Sequence, residues 1–154
     1  MVRSSMRPLD DPEVRDWIDK VPEDYRVAEA LAALAEPLDD AICFHCQQAA
    51  EKPLKALLVA SDINPPRTHD LEALVDLLSP APLLPDAVED ALMYLTELAV
   101  IPRYPVRSDL RSPGRADRAR HELDRVIGWT QTTFGWAIPR RPSPRPPANG
   151  AASP

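Results

Sequence analysis

The chain has 154 residues, 44% of them hydrophobic, a formal net charge of −6 and two cysteines. That length supports one domain with its own core and excludes two comfortable ones, and so few cysteines exclude a disulfide framework. No apolar run reaches the roughly 20 residues of a membrane span, and the first residues lack the apolar stretch of a signal peptide, so a cytoplasmic protein without membrane contact is expected.

Residues 1–10 carry no pattern and are expected to be flexible. Asp11 and Pro12 then open a helix: aspartate caps, and proline is tolerated at the first helical position. Val14, Trp17, Ile18, Val21, Val27, Leu31 and Leu34 continue an apolar stripe to about residue 35, with a kink or break expected at Pro22. A second helix is expected from Pro37 to about residue 61. Between Ile42 and Ala50 it is apolar or small nearly all round, so it should lie deep among other helices. His45, Gln47, Gln48, Glu51 and Lys52 would be penalised there unless paired. They make this helix either a hydrogen-bond hub or one wall of a site. Glu51–Lys55 and Gln48–Lys52 are spaced to pair along the helix, and Lys52 has the alternative of reaching a phosphate. Pro53 predicts a local kink near residues 49–52.

Cys43 and Cys46 flank His45, but a zinc site needs four ligands and only His69 and His121 remain, singly placed. The cysteines read as small core residues, and neither a metal nor a cofactor is expected. After a Pro-rich loop at 62–67, Thr68 is placed to cap a third helix with Leu71, Leu74, Val75 and Leu78 on one face. Arg67 and His69 sit at that helix start, where an anion is favoured. His69 reads as a loop anchor, or with Arg67 as the mouth of a nucleotide or RNA site.

A fourth helix follows residue 85, with Val88, Leu92, Leu95 and Ala99 inward and Glu89, Asp90 and Glu97 outward. Residues 102–114 hold three prolines and a glycine and read as a connector. The last helix spans about 115–134, its core face formed by Ala119, Leu123, Val126, Ile127 and Thr130. Six of the nineteen prolines fall in the final sixteen residues, so 137–154 read as a disordered Pro/Arg-rich tail. Residues 1–102 hold 8 basic against 20 acidic side chains, whereas residues 103–154 hold 10 arginines against 4 acids. Such an arginine-rich third suits phosphate, an acidic partner, the chain's own acidic part, or plain solvation. With no period-two segment, the fold class is all-α, an up-and-down bundle of four to five helices over residues 11–136.

The segments FHCQQAAEKPLKALL and PPRTHDL, with Arg103-Tyr104-Pro105 further on, resemble the HEPN domain family of prokaryotic helical proteins. The likeness extends over roughly residues 12–136. It implies a helical homodimer that binds nucleotide or RNA, often encoded beside a minimal nucleotidyltransferase in a toxin–antitoxin or defence pair. Many relatives are metal-independent ribonucleases, in which an arginine and a following histidine have four to six residues between them. Such a pair suits RNA cleavage: the histidine acts as general base and the arginine steadies phosphate charge. Counted from Arg103, the eligible positions are Ser108, Asp109 and Leu110, none of them histidine. Arg115 and His121 alone have the family spacing, but on a helix they point about 120° apart. In some pairs the transferase adenylylates a tyrosine near the motif, which makes Tyr104 a candidate modification site, the alternative being an aromatic anchor.

Two readings follow. The first is a nucleotide- or RNA-binding HEPN protein with Arg103, Tyr104, Arg67, His69, His45 and Lys52 as binding residues and Arg115 with His121 as the catalytic pair. The second is a catalytically inactive helical module that binds and regulates a protein partner.

Overall fold

The computed structural model describes residues 6–79, 81–99 and 112–140. Six α-helices and no strand occur among them: α1 (Pro12–Ile18), α2 (Val21–Ala32), α3 (Asp39–Ala60), α4 (Leu71–Asp76), α5 (Asp86–Leu98) and α6 (Arg115–Phe134). The all-α bundle expected from the periodicity is the observed architecture.

The first expected helix divides into two. Asp11 caps α1 through bonds from the Glu13 and Val14 amides, and the helix ends at Ile18. Pro22 has no N–H to donate, which is harmless only in a first turn, so a new helix begins around it at Val21. At α4 the capping residue is Asp70, not Thr68. Asp70 accepts from the Ala73 amide at 3.0 Å, while the Thr68 hydroxyl accepts from the Asp70 amide at 3.1 Å. Aspartate is the stronger cap, and threonine secures the turn before it. α6 has the expected bounds because Gly114 (φ 80°) and Gly135 (φ 68°) flank it in the left-handed region, which costs glycine little.

α3 is the centre of the bundle and packs against α1, α2, α4, α5 and α6. Its Ile42, Cys43, Cys46, Ala49, Ala50, Leu54, Leu57 and Leu58 are almost fully buried. Each leucine contributes roughly 1.5–3 kcal/mol of burial free energy. Opposing them on α6 are Ala119, Leu123, Val126 and Ile127, with Leu92 and Leu95 from α5. α5 and α6 run antiparallel: Tyr94 Oη donates to the Arg115 carbonyl at one end, and Trp129 Nε1 to the Leu83 carbonyl at the other. Both cysteines are free, and burial pushes their thiols up to about 11 for Cys43 and about 12 for Cys46, so they sit in the core as unreactive small side chains.

Both presumed flexible boundaries move outward. Arg7 donates its amide to the Ala60 carbonyl at 2.8 Å and pairs its guanidinium with Asp62 and Glu13, which ties residues 6–10 to the end of α3. At the other end Trp136 and Ile138 are buried and Arg140 pairs with Asp124 at 3.1 Å, so 137–140 belong to the packed domain. An isoleucine two residues beyond a tryptophan carries enough apolar surface to pull this stretch onto the bundle.

Pro53 lies buried inside α3, which continues past it to Ala60. It removes one helical hydrogen bond from the most buried element. Pro53→Ala is therefore expected to stabilise the fold by about 1–3 kcal/mol in urea unfolding; unchanged or lower stability would show that packing of the ring outweighs the missing bond.

Candidate functional site

The polar residues of α3 fall in two adjacent rows. His45, Gln48 and Lys52 follow one line and Gln47, Glu51 and Lys55 the next, because residues three or four apart stack along a helix. Each row meets a buried carboxylate. Asp24 of α2 takes His45 Nδ1 on Oδ1 at 2.9 Å and Lys52 Nζ on Oδ2. Glu51 of α3 takes Lys55 Nζ on Oε1 at 2.6 Å, and on Oε2 both His69 Nδ1 at 2.8 Å and Gln47 Nε2 at 3.0 Å. The two centres share one composition, a carboxylate holding one lysine and one histidine.

Further bonds close the network. Gln47 Nε2 also donates to the His69 carbonyl at 3.1 Å, and Gln48 Nε2 donates to Gln47 Oε1 at 2.7 Å. The Lys55 ammonium lies 5.5 Å from the centre of the Trp17 ring on α1, within range of a cation–π contact. The loop carrying His69 is fixed at both ends. The Ile63 amide donates to the Leu58 carbonyl at 2.8 Å, and the Leu71 amide donates to Thr96 Oγ1 of α5 at 3.0 Å.

Burial alone would raise the Glu51 pKa, but the hydrogen bonds from Lys55, His69 and Gln47 outweigh it and hold the carboxyl below its ordinary 4.5. Glu51 is thus an anion at neutral pH, and it neutralises Lys55. Asp24 does the same for Lys52. Lys52 is directed at Asp24 rather than at Gln48, the partner its spacing suggested. Neither lysine is left as an open phosphate receptor. The histidines keep one edge toward solvent: the His45 side chain is 26% exposed and that of His69 is 49% exposed. A carboxylate on Nδ1 fixes ring orientation, which suits an imidazole either as a structural hydrogen bonder or as a positioned base.

Arg115 and His121 are not brought together. Arg115 turns inward, its side chain only 12% exposed, and pairs with Asp40 of α3 at 2.6 Å. Its Nε is buried without a hydrogen-bond partner among the described residues. His121 is exposed and meets the Arg125 guanidinium at 3.0 Å through Nε2. Six residues on one helix separate these side chains by about 120°, and each has its own neighbours. Arg118 instead joins the Arg115 side of α6, lying 3.9 Å from the centre of the Tyr94 ring. Arg67 is exposed. Arg103 and Tyr104 lie outside the described residues.

The sequence reading passed over Asp24. A signal was present: Val21, Asp24, Tyr25 and Ala28 form one inward stripe of α2, and an acid within such a stripe requires a buried partner. Asp40, the partner of Arg115, gave no comparable signal in a first helical turn.

The family model described as HEPN domain matches residues 14–133. The crystal structure of TT1696 from Thermus thermophilus superposes with a TM-score of 0.66 at 21% identity, covering 80% of this chain and 100% of that one. That likeness shows a shared fold. No curated protein matches the chain.

Glu51→Ala leaves Lys55 buried without its counter-charge and is expected to cost about 3–5 kcal/mol in chemical unfolding; a loss near zero would mean that the pair is incidental. Because Glu51 has a lowered folded pKa, its stabilisation is complete above 4.5 and is lost as pH falls through that lowered value. Glu51→Gln should remove this component of the acid sensitivity, seen as a shallower fall of stability as pH drops below 4.5.

Proposed function

The chain belongs to the HEPN domain family, and we propose that within it this protein is a non-nucleolytic binding module, a cytoplasmic homodimer whose partner is a minimal nucleotidyltransferase. The observation carrying this reading is the separation of Arg115 from His121. Cleavage of RNA by such a pair needs both groups at one phosphodiester, the histidine on the ribose hydroxyl and the arginine on the phosphate. Arg115, its own side chain mostly buried, is held by the half-exposed Asp40, while His121 faces solvent beside Arg125. Moving Arg115 to a substrate would leave Asp40 without its counter-ion and would require a rearranged start of α6.

A partly exposed face of α2, formed by Val27, Ala30 and Leu31 beside the exposed Leu34, supports contact with another protein surface. No described helix is long and apolar enough to cross a membrane. Tyr104, in the arginine-flanked segment between α5 and α6, is the residue we assign to modification by the transferase.

Expression of the protein alone is expected to leave growth and total RNA intact, and the purified protein should sediment as a dimer and capture the co-expressed transferase. Growth arrest with RNA cleavage, abolished by Arg115→Ala or His121→Ala with the dimer preserved, would overturn the reading. With the transferase and ATP, an intact-mass increase of one adenylyl group that disappears in Tyr104→Phe is expected; an unmodified chain would remove the assignment of Tyr104.

A second reading has one observation in its favour. Arg67 is exposed next to His69, whose ring is fixed by Glu51 and half open to solvent. An exposed arginine beside a positioned, accessible histidine is of the kind that contacts a nucleotide or RNA phosphate. Arg67→Ala should then weaken binding of labelled RNA or ATP at least about fivefold with stability unchanged, a loss typical of one charge-assisted contact. Equal binding by the variant would exclude the loop as a phosphate contact.

A further inference from the structure

The last described residues have a direction. α6 ends at Phe134, yet six residues later Arg140 pairs with Asp124, more than two turns back along the same helix. Residues 135–140 therefore run antiparallel to α6, toward its N-terminal end. Ile138 is buried on the way, and Arg140 lines a cavity of about 110 Å³ with Tyr25, Glu29, Cys46 and Arg120. Tyr25 Oη donates to Asp124 at 3.2 Å, so the carboxylate that receives Arg140 is itself fixed to α2.

Ahead of this segment lies acidic surface. Asp117 is exposed in the first turn of α6, with Arg120 at a long 3.7 Å. At the same end of the bundle the α2–α3 loop carries Glu36 and leads into Asp39, and with Arg115 the residues Pro37–Ala41 line a shallow cavity of about 480 Å³. Arg115 neutralises Asp40, but Glu36 and Asp39 pair with no basic side chain among the described residues. Leu34 and Leu38 beside them are about half exposed.

The chain beyond Arg140 reads RPSPRPPANGAASP, its first seven residues all arginine or proline except Ser143. We propose that residues 141–147 of this chain continue along α6 and dock on the acidic end of its own bundle, with Arg145 meeting Glu36, Asp39 and Asp117 and the prolines covering Leu34 and Leu38. The span fits. Asp124 and Asp117 are about 10 Å apart along the helix, while five residues of extended polyproline backbone cover about 15 Å. The charges are complementary, and a proline-rich segment loses little conformational entropy on being held extended. Docking of this kind covers the exposed leucines and makes the basic third of the chain the partner of its acidic part.

Carbodiimide coupling of the full-length Arg145→Lys protein, prepared as an equal mixture of light and isotopically heavy chains, tests this. Peptides joining the introduced amine to Glu36, Asp39 or Asp117 are expected, in light–light and heavy–heavy form only. Their yield should fall at 1 M salt, where the screening length is about 3 Å. Glu36→Gln with Asp39→Asn should shift the remaining coupling to Asp117 without altering the thermal melt. Coupling spread evenly over surface acids on other faces, such as Asp16 and Asp90, would overturn the proposal. So would its absence, or mixed light–heavy peptides that place the tail on another copy.

Discussion

The structure depends on two buried carboxylates. α3 packs against five other helices and most of its residues are buried, yet it carries His45, Gln47, Gln48, Glu51, Lys52 and Lys55. Two ammonium groups in such surroundings would cost several kcal/mol each if left unpaired. Asp24 and Glu51 offset that cost, one from the neighbouring helix and one from α3 itself, and each also fixes a histidine. Through these contacts α2, α3 and the loop before α4 are locked in register. An apolar core of leucine and alanine fixes little orientation by itself, whereas a carboxylate with defined donors accepts one arrangement.

That constraint separates fold from chemistry along α3. Polar residues on a buried helix invite an active-site interpretation, and here nearly all of them have structural partners. What remains available is peripheral: the outer edges of His45 and His69, the exposed Arg67, and Arg118 at the start of α6, which lies over the Tyr94 ring. The HEPN family match spans residues 14–133, while the one arginine–histidine pair with family spacing is divided between the interior and the surface. The reading as a binding module rests on that division.

Much of the architecture was legible in the sequence, for identifiable reasons. α6 was bounded correctly because glycine at 114 and 135 marks left-handed turns and its apolar period is unbroken. The central place of α3 followed from a stretch with no solvent face. The break near Pro22 was visible, although its resolution into two helices depended on Asp19 and Lys20. The partners of the buried charges were less legible. Lys52 has Gln48 one turn away, and only tertiary packing brings Asp24 closer. Arg115 and Asp40 are 75 residues apart and resemble ordinary terminal-turn residues. Composition also obscured the packing of residues 137–140, where a single isoleucine and one arginine pair override a proline-rich context. The catalytic spacing misled for a related reason: with ten arginines in the last 52 residues, a suitable interval arises without a shared target.

The most direct test of the account is a double-mutant cycle between Asp24 and Lys52, followed by chemical unfolding of the wild type, Asp24→Asn, Lys52→Met and the double variant. If the polar groups of α3 serve the fold, each single change should destabilise strongly and the double change should recover part of the loss, giving a coupling of at least about 1 kcal/mol. A coupling within about 0.3 kcal/mol of zero would contradict it, since Lys52 would then owe nothing to Asp24 and would be free for a ligand.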